Sequence, residues 1–143
     1  MKIAFDFDGT LEFLELQELA RELKERGHDV QIVTTRYDEE NKCKYPFYKN
    51  MKQKQRDELH NDLYEVAKKL NIPYNFTNYV LKAQFLIDNN FDILIDDNSE
   101  EGDLLNSLSN KIKFYDCYYS FDKMKNELLT LNITDKNNEE QTN

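Results

Sequence analysis

Two aspartates stand one residue apart near the start of the chain, in Phe5-Asp6-Phe7-Asp8-Gly9-Thr10. The apolar run before them, Ile3-Ala4-Phe5, predicts a buried parallel strand, and open α/β sheets bind ligands at the carboxyl ends of such strands. Gly9 then allows a sharp turn. A carboxylate pair placed there can bind a divalent cation, attack an electrophile and move a proton. The pattern favours metal-assisted phosphoryl transfer, although an isolated Asp-x-Asp is more often a turn or a helix cap.

Three further groups of polar residues fall at the ends of predicted strands or at the start of a helix. Thr34-Thr35-Arg36 follows a second apolar run, Lys82 opens a later helix, and Asp96-Asp97 closes another strand. The carboxyl ends of parallel strands meet at one edge of a sheet. We therefore expect these groups to converge on Asp6 and Asp8, although a lone threonine or lysine is by itself a weak signal.

The elements that must position these residues alternate between strands and helices. Strands are predicted at 3–5, 30–34, 74–77, 93–95 and 112–115, and helices at 13–26, 59–70, 80–89 and 121–131. One more helix is predicted after the fourth strand, capped by Ser99 and carrying Leu104, Leu105 and Leu108 on its inner face. The order predicts a three-layer, doubly wound, Rossmann-like α/β domain over residues 1–131, with a parallel sheet of about five strands. Residues 132–143 are predicted to form a polar, frayed tail.

Composition sets outer limits on the function. The 143 residues match one domain, and a net charge of -9 disfavours binding to duplex nucleic acid, although a local basic patch stays open. No apolar run approaches the length of a membrane span and no signal-peptide pattern is present, so a cytoplasmic location is expected. Cys43 and Cys117 are interpreted as reduced thiols. His28 and His60 match no motif and are predicted to be surface or capping residues.

Taken in order, these elements resemble the haloacid dehalogenase-like (HAD) superfamily of aspartate-dependent phosphohydrolases. The resemblance rests on Asp6-Phe7-Asp8-Gly9-Thr10-Leu11, Val33-Thr34-Thr35-Arg36, Lys82 and Ile95-Asp96-Asp97-Asn98, and it extends from residue 2 to about 118. The first and last of these elements are specific. The ending Asp-Asp-Asn and the Thr-x-Arg pattern are also similar to small deoxyribonucleotidase-like members.

The resemblance implies a role for each residue. Asp6 would be the nucleophile that forms an aspartyl-phosphate, and Asp8 the general acid and base. Mg²⁺ would be held by Asp6, by the backbone carbonyl of Asp8 and by Asp97, with Asp96 orienting Lys82. The sequence does not decide between Asp96 and Asp97 as the direct ligand.

The remaining roles concern the phosphate group. Thr34, with Thr35 beside it, would donate a hydroxyl hydrogen bond to the phosphate, and Lys82 would neutralise charge on the nucleophile and the transferred group. Arg36 would either reach a substrate phosphate or serve only as a loop arginine.

The chain departs from the family pattern between the first and second strands. The stretch between Asp8 and Thr34 has no room for a cap domain, so a nearly capless member is expected, with a short lid at about 37–57. This lid is rich in aromatic residues and contains Lys52, Lys54 and Arg56. Such a patch could clamp phosphates and stack a base, which favours a nucleotide, or it could be a solvated helix face.

The sequence therefore predicts an Mg²⁺-dependent phosphatase that hydrolyses a nucleotide-like phosphomonoester. One alternative is a polynucleotide end phosphatase. Another is a binding protein that sequesters a phosphorylated nucleotide with little turnover. A third, less favoured, is an interaction domain on a hydrolase scaffold. The sequence predicts no oligomeric state.

Overall fold

Five short and mostly apolar strands pair into one parallel sheet. The computed structural model describes residues 1–131. The strands are β1 (Lys2–Phe5), β2 (Asp29–Thr34), β3 (Tyr74–Phe76), β4 (Ile93–Asp96) and β5 (Lys113–Asp116). Their order across the sheet is β3-β2-β1-β4-β5, and every neighbouring pair is parallel.

Residues 1–131 form six α-helices, of which all but the short α2 pack against the two faces of the sheet. They are α1 (Leu14–Glu25), α2 (Gln53–Asp57), α3 (Asn61–Leu70), α4 (Lys82–Asp88), α5 (Ser99–Leu108) and α6 (Phe121–Leu129). One core cluster joins the sheet to α1, α3 and α6, and a second joins its other face to α4 and α5. The predicted three-layer α/β architecture is therefore confirmed.

The strands are apolar because both of their faces are covered by helices. Ile3 and Phe5 contribute to the first core cluster, whereas Ala4, between them, belongs to the second. The helices follow the same logic, since α1 buries Leu19 and Leu23 against the sheet. Each fully buried leucine stabilises the fold by about 1.5–3 kcal/mol. These contacts fix the strand ends that carry the polar residues.

The chain reverses its winding direction between β1 and β4. From β1 it runs outward through β2 to β3, and it then returns to place β4 on the other side of β1. In register, Phe5 lies beside both Ile32 and Ile95, so β4 ends one residue and β2 two residues beyond the end of β1. A crevice outside the carboxyl ends of β1 and β4 follows from this topology, and such crevices are where open α/β sheets bind ligands.

Several predictions of local structure were wrong. Asn98, not Ser99, caps α5, and its side-chain oxygen accepts a hydrogen bond from the amide of Glu100 at 3.0 Å. Leu108 is exposed because it lies in the last turn of that helix. The helix predicted at 59–70 is α3, but it begins at Asn61, and Leu59 lies in the turn between it and the short helix α2.

The two histidines are also buried, although His60 does occupy the N-cap position of α3 without a side-chain capping hydrogen bond. His28 is packed at the start of β2, and its Nδ1 lies 3.0 Å from the amino group of Met1. His60 is buried between Phe76, whose ring centroid is 4.9 Å away, and the carbonyl oxygen of Tyr37. Burial lowers the pKa of both imidazoles. A lone histidine in a sequence does not reveal such packing.

Three further predictions concern membrane spans, the two cysteines and the tail. No helix within residues 1–131 is both long enough and apolar enough to cross a membrane. Cys43 is an exposed free thiol and Cys117 is a buried one. The frayed tail predicted at 132–143 lies outside the described residues.

Candidate active site

A buried carboxylate begins the site at the end of β1. Asp6 directly follows the strand, and its amide donates to the carbonyl oxygen of Ile95 at 3.0 Å. Its side chain is only 8% exposed. Burial raises the pKa of Asp6 to about 8, because desolvation of the carboxylate outweighs the opposing attraction of the Lys82 ammonium group. Any additional positive charge nearby would favour the ionised form of Asp6.

Lys82 supplies one positive charge from the opposite side of the crevice. It is the first residue of α4, and its buried Nζ donates to Asp6 Oδ1 at 2.7 Å and to Asp96 Oδ2 at 2.6 Å. Burial alone would lower the pKa of Lys82, but the two adjacent carboxylates outweigh this effect and raise it. Lys82 is therefore a fixed cation between the ends of β1 and β4.

Glu101 fixes the backbone of Lys82, and sequence reasoning missed it. Its carboxylate accepts a hydrogen bond from the amide of Lys82 at 3.0 Å, and its side chain is buried. This contact satisfies one of the free amides at the start of α4. In the sequence, Glu101 is only an acidic residue before a glycine, and this signal is too weak to indicate a function.

The structure places Asp96 and Asp97 in different surroundings. Both oxygens of Asp96 already accept hydrogen bonds, one from Lys82 and one from the amide of Asn98 at 3.1 Å. Asp97 is exposed and lies against Gly9, where a Cβ atom would overlap its carboxylate. Gly9 also has a φ of 75°, which favours glycine. Glycine is thus required both by the turn and by the close approach of Asp97.

Three carboxylates converge with geometry that suits a divalent cation. One oxygen each from Asp6, Asp96 and Asp97 lie within 4.8 Å of one another. Burial and the neighbouring Asp96 raise the pKa of Asp97. Carboxylate oxygens are the ligands that Mg²⁺ prefers. This donor set therefore fits a magnesium ion.

Asp8 points away from this cluster. Asp8 has φ −66° and ψ 123°, and the turn at Gly9 follows it directly. Its carboxylate is bound by Arg36, with Nε to Oδ2 at 2.9 Å and Nη2 to Oδ1 at 2.7 Å. The two aspartates of the motif consequently occupy different environments, one buried beside a lysine and one more exposed beside an arginine.

Arg36 is a bridge and not a free phosphate ligand. It forms a second two-point contact with Asp62, at 2.9 Å for each hydrogen bond, and its Nη1 lies 3.4 Å from His60 Nδ1. These contacts, together with those to Asp8, provide partners for all five N–H groups of the guanidinium. The two carboxylates raise the pKa of Arg36 above its ordinary value despite its burial. Its place in the sequence, two residues after Thr34, could not have shown this.

Asp62 and His60 complete the bridge, and neither was predicted as a site residue. Asp62 lies in the first turn of α3, where an acidic residue is common because it interacts well with the helix dipole. Hydrogen bonding to Arg36 lowers the pKa of Asp62. Only the tertiary fold brings α3 next to the loop that carries Asp8.

The two threonines after β2 lie in different surroundings. Thr34 is buried, and its hydroxyl accepts a hydrogen bond from the amide of Arg36 at 3.2 Å. Thr35 lines the crevice beside Asp6 and Lys82. Of the two, Thr35 therefore has the better access to a bound phosphate.

Two neighbouring cavities lie along this edge of the sheet. The first, which we call the acidic cleft, has a volume of about 420 Å³ and is lined by Asp6, Asp8, Thr35, Lys82, Asp96, Asp97, Asn98 and Glu101. The second, which we call the tyrosine cavity, has a volume of about 360 Å³ and is lined by Asp8, Thr35, Arg36, Tyr37, Lys42, Tyr45, Leu59, His60 and Tyr79. Asp8 and Thr35 belong to both.

The predicted lid segment contributes to this edge only in part. Lys42 and Tyr45 line the tyrosine cavity, whereas Lys52, Lys54 and Arg56 line neither cavity. Arg56 instead donates to the carbonyl oxygen of Tyr48 at 3.0 Å and so ties the segment together. The basic residues chosen from the sequence are therefore not those that face the site.

Comparisons of the chain with protein-family models, with curated proteins and with solved structures found no match. The geometry of the site is therefore the ground for a functional proposal.

Proposed function

We propose that the protein is an Mg²⁺-dependent phosphatase of the HAD-like type, which hydrolyses a phosphomonoester through an aspartyl-phosphate on Asp6. The observation that carries the proposal is the convergence of Asp6, Lys82, Asp96 and Asp97 at the point where the winding of the sheet reverses. The motif order in the sequence supports the same family assignment. A buried carboxylate fixed beside a lysine has the arrangement of an activated nucleophile.

The residues of the acidic cleft divide the first half-reaction between them. An oxygen of Asp6 forms a bond to phosphorus while the ester P–O bond breaks. Asp8 takes a proton from solvent on an oxygen that leaves its contact with Arg36, and it gives that proton to the departing oxygen. Lys82 offsets charge on Asp6 and on the transferred group, and Thr35 is placed to donate a hydrogen bond to a phosphate oxygen. Bound Mg²⁺, held by Asp6 and Asp97, would neutralise charge on the phosphoryl oxygens.

The second half-reaction reverses the role of Asp8. A water molecule attacks phosphorus, Asp8 takes its proton, and the bond between phosphorus and Asp6 breaks to release phosphate. Arg36 holds the Asp8 carboxylate at two points, and it is itself held by Asp62. Asp62 is therefore a positioning residue for the acid and base, and Glu101 is one for Lys82.

The deciding experiment measures product per site. A phosphatase converts phosphomonoester in large excess over protein, whereas a sequestering protein binds about one ligand per site and releases it unchanged on denaturation. We expect phosphate release in Mg²⁺ over many turnovers and loss of turnover in excess chelator. Ca²⁺ should not replace Mg²⁺, because its larger and looser shell misplaces the attacking oxygen.

The matched variants are Asp6→Asn and Asp103→Asn. Asp103 is exposed on α5 and lies outside both cavities, so its variant should keep full turnover. Asp6→Asn should abolish turnover because an amide is a poor nucleophile of nearly the same shape. Full activity of Asp6→Asn would refute the mechanism, and recovery of one intact ligand per chain would favour sequestration.

A further inference from the structure

The tyrosine cavity lies where the leaving group of the proposed reaction must sit. It shares Asp8 and Thr35 with the acidic cleft, so the two spaces are adjacent. In the proposed reaction Asp6 attacks from one side of phosphorus and Asp8 protonates the oxygen that departs on the other. The group attached to that oxygen must therefore lie beyond Asp8, on the side of the tyrosine cavity. This reasoning rests on the proposed function.

The walls of the cavity suit a planar ring. Tyr37 and Tyr79 stack with their ring centroids 4.7 Å apart and their planes 24° from parallel. Tyr45 and Leu59 add further carbon surface. A volume of about 360 Å³ lies within the usual range for small-ligand sites. Aromatic side chains of this kind stack on nucleic-acid bases of any sequence, because every base has a π-face.

Tyr79 is held in place at a conformational cost. Its φ is 66°, a left-handed backbone that is rare for a bulky residue, and the preceding Asn78 has a φ of 54°. The amide of Tyr79 donates to the carbonyl oxygen of Thr35 at 2.6 Å, and the amide of Asn78 donates to the carbonyl oxygen of Arg36 at 3.2 Å. The ring is nevertheless 58% exposed. Strained residues of this kind cluster at ligand sites, where the surrounding structure maintains them.

The charges around the cavity exclude a strongly anionic occupant. Arg36 already has partners for all its N–H groups, and Lys42 pairs with Glu39 at 2.7 Å while also donating to the carbonyl oxygen of Arg56 at 2.8 Å. The two positive side chains are thus outnumbered by three carboxylates, those of Asp8, Asp62 and Glu39. No free positive charge is left there to attract additional phosphates.

We propose that the tyrosine cavity binds the uncharged nucleoside of a nucleoside monophosphate, with the base stacked against the Tyr37–Tyr79 pair. The single phosphate then lies in the acidic cleft. Nucleoside triphosphates and oligonucleotides are disfavoured as ligands, since their extra phosphates would face the carboxylates around the cavity. Selectivity therefore comes from stacking of the ligand's aromatic base on the tyrosine pair. It does not come from the lysine-rich segment that contains Lys52 and Lys54.

The first test is calorimetric binding to the catalytically inert Asp6→Asn protein in Mg²⁺. The probes are adenosine monophosphate, uridine monophosphate, ribose 5-phosphate and adenosine triphosphate. We expect at least one monophosphate to bind about tenfold more tightly than ribose 5-phosphate, because only the nucleotides carry a base. The triphosphate should bind no more tightly than the monophosphate. Equal affinity for ribose 5-phosphate, or a strong preference for the triphosphate, would overturn the proposal.

The second test changes the cavity wall in the same Asp6→Asn background. Tyr79→Gly removes the ring and keeps a residue that tolerates the left-handed backbone, so the fold should be retained, which circular dichroism would verify. The nucleotide preference should fall from about tenfold to about twofold or less. Tyr119→Gly is the control, because Tyr119 is 80% exposed and lines neither cavity. A preference that survives in Tyr79→Gly, or that disappears equally in Tyr119→Gly, would refute the stacking site.

Phosphate release by the unmodified protein separates failure of this proposal from failure of the proposed function. If none of these compounds is hydrolysed but the Tyr79-dependent preference is observed, the phosphatase proposal fails and the nucleoside site stands. If ribose 5-phosphate and the nucleotides are hydrolysed with equal kcat/KM and no binding preference is found, the nucleoside site fails and the phosphatase stands.

Discussion

The acidic cleft and the tyrosine cavity are neighbours, but they are built in different ways. The cleft takes its charged groups from the ends of β1 and β4 and from the first turn of α4, so paired strands fix their positions. The tyrosine cavity takes its walls from the loops after β2 and β3 and from the segment before α3. The sheet thus holds the residues assigned to chemistry, while loops supply those assigned to selectivity, a division that is common in proteins.

The two regions also treat charge differently. In the cleft, the buried carboxylates of Asp6 and Asp96 outnumber the one lysine between them, and this excess of negative charge favours the binding of a cation. Beside the cavity, Arg36 is balanced by Asp8 and Asp62, which are more exposed. Because Asp8 belongs to both regions, the following predictions test whether the cleft performs the chemistry and the cavity only positions the substrate and the acid.

The largest effect is expected for Lys82→Met. Loss of the ammonium leaves two buried carboxylates without their shared partner, which should cost roughly 3–5 kcal/mol of stability. Turnover should fall by at least about a hundredfold, as when one charge-stabilising donor is removed from an active site. Lys68→Met on the exposed face of α3 is the control for both thermal unfolding and phosphate release. Near-normal turnover in Lys82→Met would end the assignment of the cleft as the chemical centre.

A smaller and selective effect is expected for Asp62→Asn. The weaker hold on Arg36 should disturb the Asp8 carboxylate, and general acid catalysis matters most when the leaving group is a poor one. The kcat for an alkyl phosphomonoester should fall by about tenfold, and that for a nitrophenyl ester by less than about twofold. Glu65→Gln, an exposed change on the same helix, should alter neither. An equal loss for both esters would mean that Asp62 has only a structural role.

Stability of the metal-free protein should depend on pH through Asp6. Its pKa is raised to about 8, above the value of an exposed carboxyl, so its contribution to stability is full below about pH 4 and is lost as the pH rises through about 8. Asp6→Asn removes this dependence. In chelator, the Tm of Asp6→Asn minus the Tm of the wild type should therefore increase by a few degrees between pH 5 and pH 8. Excess Mg²⁺ should reduce this difference in Tm. A difference in Tm that does not change with pH would contradict the raised pKa.

The smallest effect is expected for the combined change Lys52→Glu and Lys54→Glu. Both lysines are exposed and line neither cavity, so nucleoside monophosphate affinity should change by less than about twofold at physiological salt. Titration of the Asp6→Asn protein, with and without the two changes, measures this directly. A loss of fivefold or more that shrinks as salt is added would return the basic segment to the binding site.

Much of the cleft could be read from the sequence because its residues lie next to regular elements. An apolar run predicts β1, and Asp6 must follow it wherever the rest of the chain goes. The same holds for Asp96 and Asp97 after β4 and for Lys82 at the start of α4. The alternation of strands and helices predicts a parallel sheet, and a parallel sheet brings these ends to one edge.

The fold alone decided which partners these residues have. Arg36 became a bridge because α3 places Asp62 opposite the loop that carries Asp8, a contact between residues far apart in sequence. Likewise, Tyr79 meets Tyr37 only because the loops after β3 and β2 are hydrogen-bonded to each other.

The sequence by itself determined the layer architecture and the acidic end of the site, since apolar periodicity and residues next to strands are local properties. The tertiary structure decided that Thr35 lines the cleft while the buried Thr34 hydroxyl accepts from the amide of Arg36, and that Lys52 and Lys54 lie away from the cavities. It also buried His60 against Tyr37. Side-chain direction in loops depends on contacts between distant segments, and no local pattern in a single sequence specifies those contacts.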